Sequence, residues 1–178
     1  MPDYAWKTLM TQWNELLFTS EITEDVPEPI RQAHWLGNPG ASEAQLHQLE
    51  RRIGRSLPPS YRDFLRFSNG WGKLNEFIDM LWSTKEVDWF SARYQDWAYD
   101  WADGFPEYEF LPTALQISDV GDAAVLLLNP QVVDENGEWE AWFVATWNPE
   151  GRSFSSFLEL MQHEFEGFVW REENMRDE

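Results

Sequence analysis

The 178-residue sequence contains no cysteine and few basic residues, and both shortages exclude functions. Without cysteine there can be no disulfide bond, no cysteine-ligated zinc and no thiol nucleophile. Thirteen Lys and Arg residues stand against 32 Asp and Glu residues, which gives a net charge of −19. A field of that sign repels nucleic acid and anionic lipid and attracts basic partners. We therefore expect no direct binding of nucleic acid or of a membrane.

A long hydrophobic run is also missing. The longest strictly apolar stretch, residues 123–128, is far too short to span a bilayer. The first ten residues, MPDYAWKTLM, have neither the basic stretch nor the apolar run of a signal peptide. Hydrophobic residues at 43% and charged residues at 25% are typical of a globular protein. These features predict one soluble domain in the cytoplasm, where the absence of disulfides is no handicap.

Helical patterns occupy the first part of the chain. Apolar residues at helical spacing predict an amphipathic helix over residues 4–18. Ser42 and Gln45 form a capping box, and Gly54 is a natural end for the helix that follows it.

The stretch LPPSYRDFLRFSNGWG, residues 57–72, raises the question of whether its Gly-x-Gly turn binds a phosphate. Pro59 can begin a helix because its missing N–H would be unpaired there. Tyr61, Phe64 and Leu65 would form the buried face of that helix. The glycines then follow the helix, where the helix dipole is negative and disfavours anions. We interpret the stretch as scaffold.

The second half of the chain changes to the period of β-strands. Asn136-Gly137 is a strong hairpin signal between two strands, and Asn148-Pro149 is expected to end the second one. Ser156 and Glu159 form another capping box, which predicts a closing helix. The order of elements predicts a single α+β domain, with a mixed, mainly antiparallel sheet packed against N-terminal helices and a C-terminal helix. Strands are predicted over residues 114–118, 123–128, 131–134 and 138–147.

Aromatic and acidic residues crowd together in DWFSARYQDWAYDWADGFPEYEF, residues 88–110. One helical face would hold the aromatics Phe90, Tyr94, Trp97 and Trp101. One interpretation is a layer that packs its rings on the sheet and leaves its acids in water. The other is a partner-binding surface with tryptophan anchors and carboxylates facing a basic cleft. That surface would comprise Asp96, Asp100, Asp103, Glu107, Glu109, Trp97 and Trp101. Both interpretations hold if the rings point inward while the acids face the partner.

The residues that could be catalytic or metal-binding are better explained as turn residues or solvent-exposed side chains. The histidines His34, His47 and His163 are far apart in sequence, and no convergent zinc ligands accompany them. Asp119 and Asp122 could be paired acids of a hydrolase, but DVGD is a typical turn between strands. Asp134, Asn136 and Glu138 lack the twelve-residue spacing of a calcium loop and fit a hairpin tip. We expect no catalytic residue, no metal and no cofactor.

Three quoted stretches carry a resemblance to a known family. GASEAQLHQLERRIGRSLPPSYRDFLRFSNG resembles the opening of the SUKH superfamily, which includes the fungal cell-wall-assembly regulators. LPTALQISDVGDAAVLLLNP and GEWEAWFVATWNPEGRSFSSFLELM look like the strand and closing-helix portions of its bacterial members. The resemblance covers roughly residues 36–168 and divides the chain into an N-terminal helical extension (1–35), a SUKH-like α+β domain (36–171) and a polar tail (172–178).

The resemblance implies a sheet backed by helices, with no catalytic machinery. Many bacterial members are immunity proteins, which neutralise a polymorphic toxin by binding it, and many such toxins are nucleases. It therefore implies a cytoplasmic immunity protein whose partner is a basic toxin domain. An intracellular regulatory adaptor, like the fungal relatives, is the alternative, and a small hydrolase is a distant third.

Overall fold

The structure, a computed structural model, describes residues 2–23 and 26–175, and helices occupy both ends of that chain. The helices are α1 (Pro2–Phe18), α2 (Glu28–Ala33), α3 (Glu43–Ile53), α4 (Pro59–Phe67), α5 (Phe90–Arg93), α6 (Gln95–Gly104) and α7 (Phe157–Met175). The strands are β1 (Asp88–Trp89), β2 (Leu115–Gln116), β3 (Ala124–Val133), β4 (Trp139–Ala145) and β5 (Asn148–Phe154). The α+β class predicted from the sequence is confirmed.

The five strands form one sheet in the order β1-β2-β3-β4-β5, and all four pairings are antiparallel. The predicted hairpin joins β3 to β4. Its tip is held by Asp134, whose Oδ1 accepts the backbone N–H groups of Asn136 and Glu138 at 2.8 and 2.9 Å. Gly137 has a φ of +83°, the conformation that glycine adopts without strain. The hairpin tip predicted for Asp134, Asn136 and Glu138 is therefore confirmed.

Two prolines mislead the strand predictions. Residues 123–128 and 131–134 were expected to form separate strands, but β3 runs through Pro130 with a register shift between Asn129 and Val133. The predicted strand over residues 138–147 does end before Asn148-Pro149, at Ala145, but this dipeptide then begins β5, a strand that the sequence did not predict. A strand excludes proline only where its N–H is needed for pairing, and bulges and edge strands do not need it.

One face of the sheet packs against α1, α4 and α7. The rings of Trp6, Phe64 and Phe157 come from these three helices and meet with centroids 5.2–5.4 Å apart. Tyr61 and Leu65 are also buried, so the LPPSYRDFLRFSNGWG stretch is scaffold, as predicted. The expected N-terminal extension supplies Trp6 to the same core as the rest of the helices.

The N-termini of the central helices are capped from different sources. The predicted capping box of α3 is present, with Ser42 and Gln45 bonding each other's backbone N–H groups. Helix α4 has no such local cap. The carboxylate of Glu138, on the hairpin tip, accepts from the backbone N–H and the hydroxyl of Ser60 at 2.8 and 2.7 Å. The hairpin and α4 are thereby joined through a helix terminus, where a carboxylate is stabilised by the dipole.

Helix α7 continues through the start of the predicted polar tail and reaches Met175. Residues 176–178 of that tail lie outside the described residues. At its N-terminus Ser156 Oγ accepts the Glu159 N–H at 3.2 Å, while the Glu159 carboxylate bonds Ser155 instead of closing the box on Ser156.

Candidate functional site

The second face of the sheet is covered by residues 90–114, which follow β1 and carry most of the aromatic and acidic segment. This covering layer and the strands share a buried cluster that is separate from the helical core. Val125, Leu127 and Val144 supply its sheet side, and Phe90, Ala98 and Leu111 supply its layer side. The sheet is thus the middle of three layers.

The segment is a broken helix instead of the continuous one that its aromatic spacing predicts. Tyr94 has φ −126° and ψ 54°, which separates α5 from α6. Its backbone still accepts a 2.9 Å hydrogen bond from Ala98 and donates one of 2.9 Å to Phe90, so the aromatic face is preserved across the break.

Most of the aromatic rings point towards the sheet. Phe90 is fully buried, and Trp97 and Trp101 are partly buried against the second cluster. Centroid distances are 5.2 Å for Phe90–Trp97, 5.7 Å for Trp97–Trp101 and 5.0 Å for Trp101–Tyr108. Among the residues that the structure describes, none accepts a hydrogen bond from the buried indole N–H of Trp97. The two tryptophans predicted as partner anchors therefore have packing roles.

The five predicted carboxylates all face solvent. Asp96, Asp100 and Asp103 lie on the outer side of α6, and Glu107 and Glu109 follow in the next turns. Within the described part of the chain, none of these carboxylates makes a hydrogen bond or an ion pair. No Lys, Arg or His occurs in the sequence between Arg93 and Arg152. These five carboxylates make the outer surface of the layer negative, and Arg55 lies beside it in the groove that Tyr99 lines.

Sequence reasoning missed an exposed aromatic on the same surface. Tyr99 lies three residues after Asp96 and four residues before Asp103, so it shares their helix face, and it is 49% exposed. Its ring lines a groove of about 600 Å³ together with Trp89, Pro112 and other residues. The available signal was that Tyr99 follows the period of the acids, whereas Trp97 and Trp101 follow the period of the buried rings. We call Asp96, Tyr99, Asp100 and Asp103 the α6 face.

The candidate catalytic residues do not converge. His34, His47 and His163 are exposed on different elements. Among residues 2–23 and 26–175, no group of three or more His, Asp or Glu side chains could hold a metal ion. Burial raises the pKa of Asp119, whose Oδ1 accepts the backbone N–H of Met80 at 3.1 Å. Asp122 is exposed in the adjoining tight turn, as the turn interpretation of DVGD predicts.

Comparison with known proteins identifies a family. The SMI1/KNR4 family (SUKH-1) matches residues 40–160, a span that contains the whole sheet and the covering layer. A search of curated proteins found no match. Over the described residues, no helix is both long and apolar enough to cross a membrane.

Proposed function

The chain belongs to the SMI1/KNR4 family (SUKH-1), and we propose that it is a non-catalytic immunity protein that neutralises a basic toxin domain by binding it. The family covers both immunity proteins and SMI1/KNR4 regulators. Its members are generally non-enzymatic and typically bind protein partners. A toxin that acts inside cells would place the protein in the cytoplasm.

The single observation that supports this proposal best is the α6 face. Its three carboxylates have no partner within the described residues, and Tyr99 stands exposed among them. Tyrosine is one of the residues most often found as a binding anchor, because its ring adds contact area and its hydroxyl adds a hydrogen bond. Free carboxylates around an anchor suit a partner surface rich in lysine and arginine. A nuclease is one such partner, since it must hold phosphates.

Electrostatic steering gives the test. Uncompensated charges on a docking surface raise the association rate by orders of magnitude at low salt, and they lose that effect as screening increases. A triple variant with Asp96, Asp100 and Asp103 each changed to Lys should associate with the cognate toxin about tenfold more slowly or worse at low salt. The toxin would be taken from the neighbouring gene and co-expressed, with surface plasmon resonance and cell survival as readouts.

A matched control separates the α6 face from net charge alone. Glu15, Glu166 and Glu173 are exposed acids on α1 and α7, away from the covering layer. Changing all three to Lys alters the net charge by the same amount, but should slow association much less. Circular dichroism would first establish that both variants are folded. Equal association rates and equal protection for the two variants would refute the α6 face as the docking surface.

The alternative is an intracellular regulatory adaptor, which family membership supports equally. The two functions predict different neighbouring genes and different effects of deleting the gene. An immunity gene lies beside a toxin gene, and its deletion kills the cell when that toxin is made. An adaptor has no toxin neighbour, and its deletion alters growth without any toxin.

A further inference from the structure

A second exposed surface lies at the turn between β4 and β5, apart from the α6 face. Trp147 is 49% exposed there and Met80 is 44% exposed. The ring of Phe77 packs against Trp147 with centroids 5.0 Å apart. Asp119 and Met80 are joined by two hydrogen bonds of 3.1 Å: the Met80 N–H donates to Asp119 Oδ1, and the Asp119 N–H donates to the Met80 carbonyl. We call Phe77, Met80, Asp119, Asp122 and Trp147 the Trp147 patch.

The exposed indole is held in place. Its Nε1 donates to the backbone carbonyl of Asp122 at 2.9 Å. Asp122 and Ala123 both have positive φ, 42° and 57°, and the Ala124 N–H donates to the Gly121 carbonyl at 2.8 Å. This is the geometry of a type I′ turn, in which non-glycine residues are disfavoured. A ring that is already fixed loses little entropy when a partner contacts it.

The chain uses aromatic rings beside carboxylates to hold arginines elsewhere. Arg152 lies 4.9 Å from the centroid of Phe143 and 3.3 Å from Glu164. Arg171 lies 5.8 Å from the centroid of Phe77, the neighbour of Trp147, and 2.6 Å from Glu76.

In the Trp147 patch, Arg171 already lies over the Phe77 ring, so the Trp147 ring is the part of the patch that a further cation could contact. Asp122, whose backbone carbonyl accepts the indole N–H, is an exposed residue. Among residues 2–23 and 26–175, no Lys or Arg lies over the Trp147 ring. A net charge of −19 adds attraction for a cationic group.

We propose that the Trp147 patch is a docking site for an arginine side chain of a partner protein. The guanidinium stacks on the indole and pairs with the carboxylates of Asp122 and Asp119, while apolar neighbours of the arginine contact Met80. Arginine is favoured over lysine because its planar group stacks on rings and bonds carboxylates in parallel pairs. This docking site goes beyond the proposed function, because it does not depend on whether the partner is a toxin or on the α6 face.

A short peptide tests the proposal on the intact protein. The probe is acetylated and amidated Gly-Arg-Leu-Arg-Gly, with the lysine counterpart Gly-Lys-Leu-Lys-Gly as the equal-charge comparison. Binding is followed by ¹⁵N–¹H spectra of the indole groups at 150 mM salt. We expect the arginine peptide to shift the Trp147 indole signal and to bind at least about threefold more tightly than the lysine peptide. Asp122→Asn keeps the backbone carbonyl and suits the positive φ, and should weaken arginine-peptide binding about threefold.

Matched variants separate the patch from general charge attraction. Trp147→Leu should abolish the preference for arginine, whereas Trp170→Leu, at a more exposed tryptophan on α7, should keep it. Equal binding of the two peptides, a preference retained in Trp147→Leu, or no Trp147 shift at millimolar peptide would overturn the proposal. A Trp147 shift that grows with protein concentration in the absence of peptide would also overturn it, because a second copy would then be the occupant. No toxin is used, so the result of this experiment neither supports nor refutes the proposed function.

Discussion

Truncation of Trp97 distinguishes a packing residue from a binding anchor. Full burial makes a Trp→Ala change cost about 3–5 kcal/mol. Trp97 is only partly buried but touches the rings of Phe90, Tyr94 and Trp101. We therefore expect Trp97→Ala to lower the free energy of unfolding by about 2–4 kcal/mol. In a chain of this length, that corresponds to a fall of roughly 5–15 °C in Tm.

Two companion variants sharpen this prediction. Trp97→Phe keeps the ring contacts and removes an indole N–H that is buried without a partner. Leaving such a donor unpaired costs about 1–3 kcal/mol, so the Phe variant should lose less than about 1 kcal/mol. Tyr99→Ala, two residues along the same helix, should stay within about 0.5 kcal/mol because its ring faces solvent.

Urea denaturation followed by circular dichroism measures all three variants. If Trp97→Ala and Tyr99→Ala cost equally little, α6 does not pack its tryptophan face on the sheet as described. If Tyr99→Ala were the more destabilising variant, the two faces of α6 would be exchanged. Either result would refute the assignment of Tyr99, instead of Trp97, to the docking surface.

Two further predictions concern a pair of glycines and the buried Glu164. Gly40→Ala should cost at least about 2 kcal/mol because its Cβ would collide with the Arg66 carbonyl oxygen. Gly104→Ala has open space for its Cβ and should be neutral or stabilise by up to about 1 kcal/mol. Thermal denaturation compares the two variants. Burial raises the pKa of Glu164 above 4.5, although Arg152 opposes the shift. The folded state thus holds this proton more tightly than the unfolded chain does. The stability that Glu164 contributes should therefore fall as pH rises from 4.5 through its folded pKa. Urea titrations across pH should show this fall in the wild type and not in Glu164→Gln.

Local signals in the sequence predict much of the fold. The capping box at Ser42, the helix start at Pro59 and the hairpin at Asn136-Gly137 depend on residues a few positions apart. The interactions that produce each of these features occur between residues of the same short stretch. The helix and hairpin predictions in these regions are therefore confirmed.

Contacts between distant residues account for what the sequence did not predict. Glu138 caps a helix 78 residues earlier in the chain, and β5 forms because an edge position tolerates Pro149. The candidate site has the same limit. Periodicity separates the acids from the buried rings. The packing of α6 on the sheet is what shows that Tyr99 lies on the exposed face with the acids.

The three-layer arrangement has a consequence for sequence divergence. Among residues 2–23 and 26–175, the carboxylates of the α6 face make no hydrogen bond or ion pair with the helical core, and the sheet lies between the covering layer and α1, α4 and α7. Substitutions on the α6 face can therefore accumulate without altering the packing that stabilises the domain. Under the proposed immunity function, a change in the toxin would select substitutions in this layer while the helical side is conserved, so the two sides of the sheet should evolve at different rates.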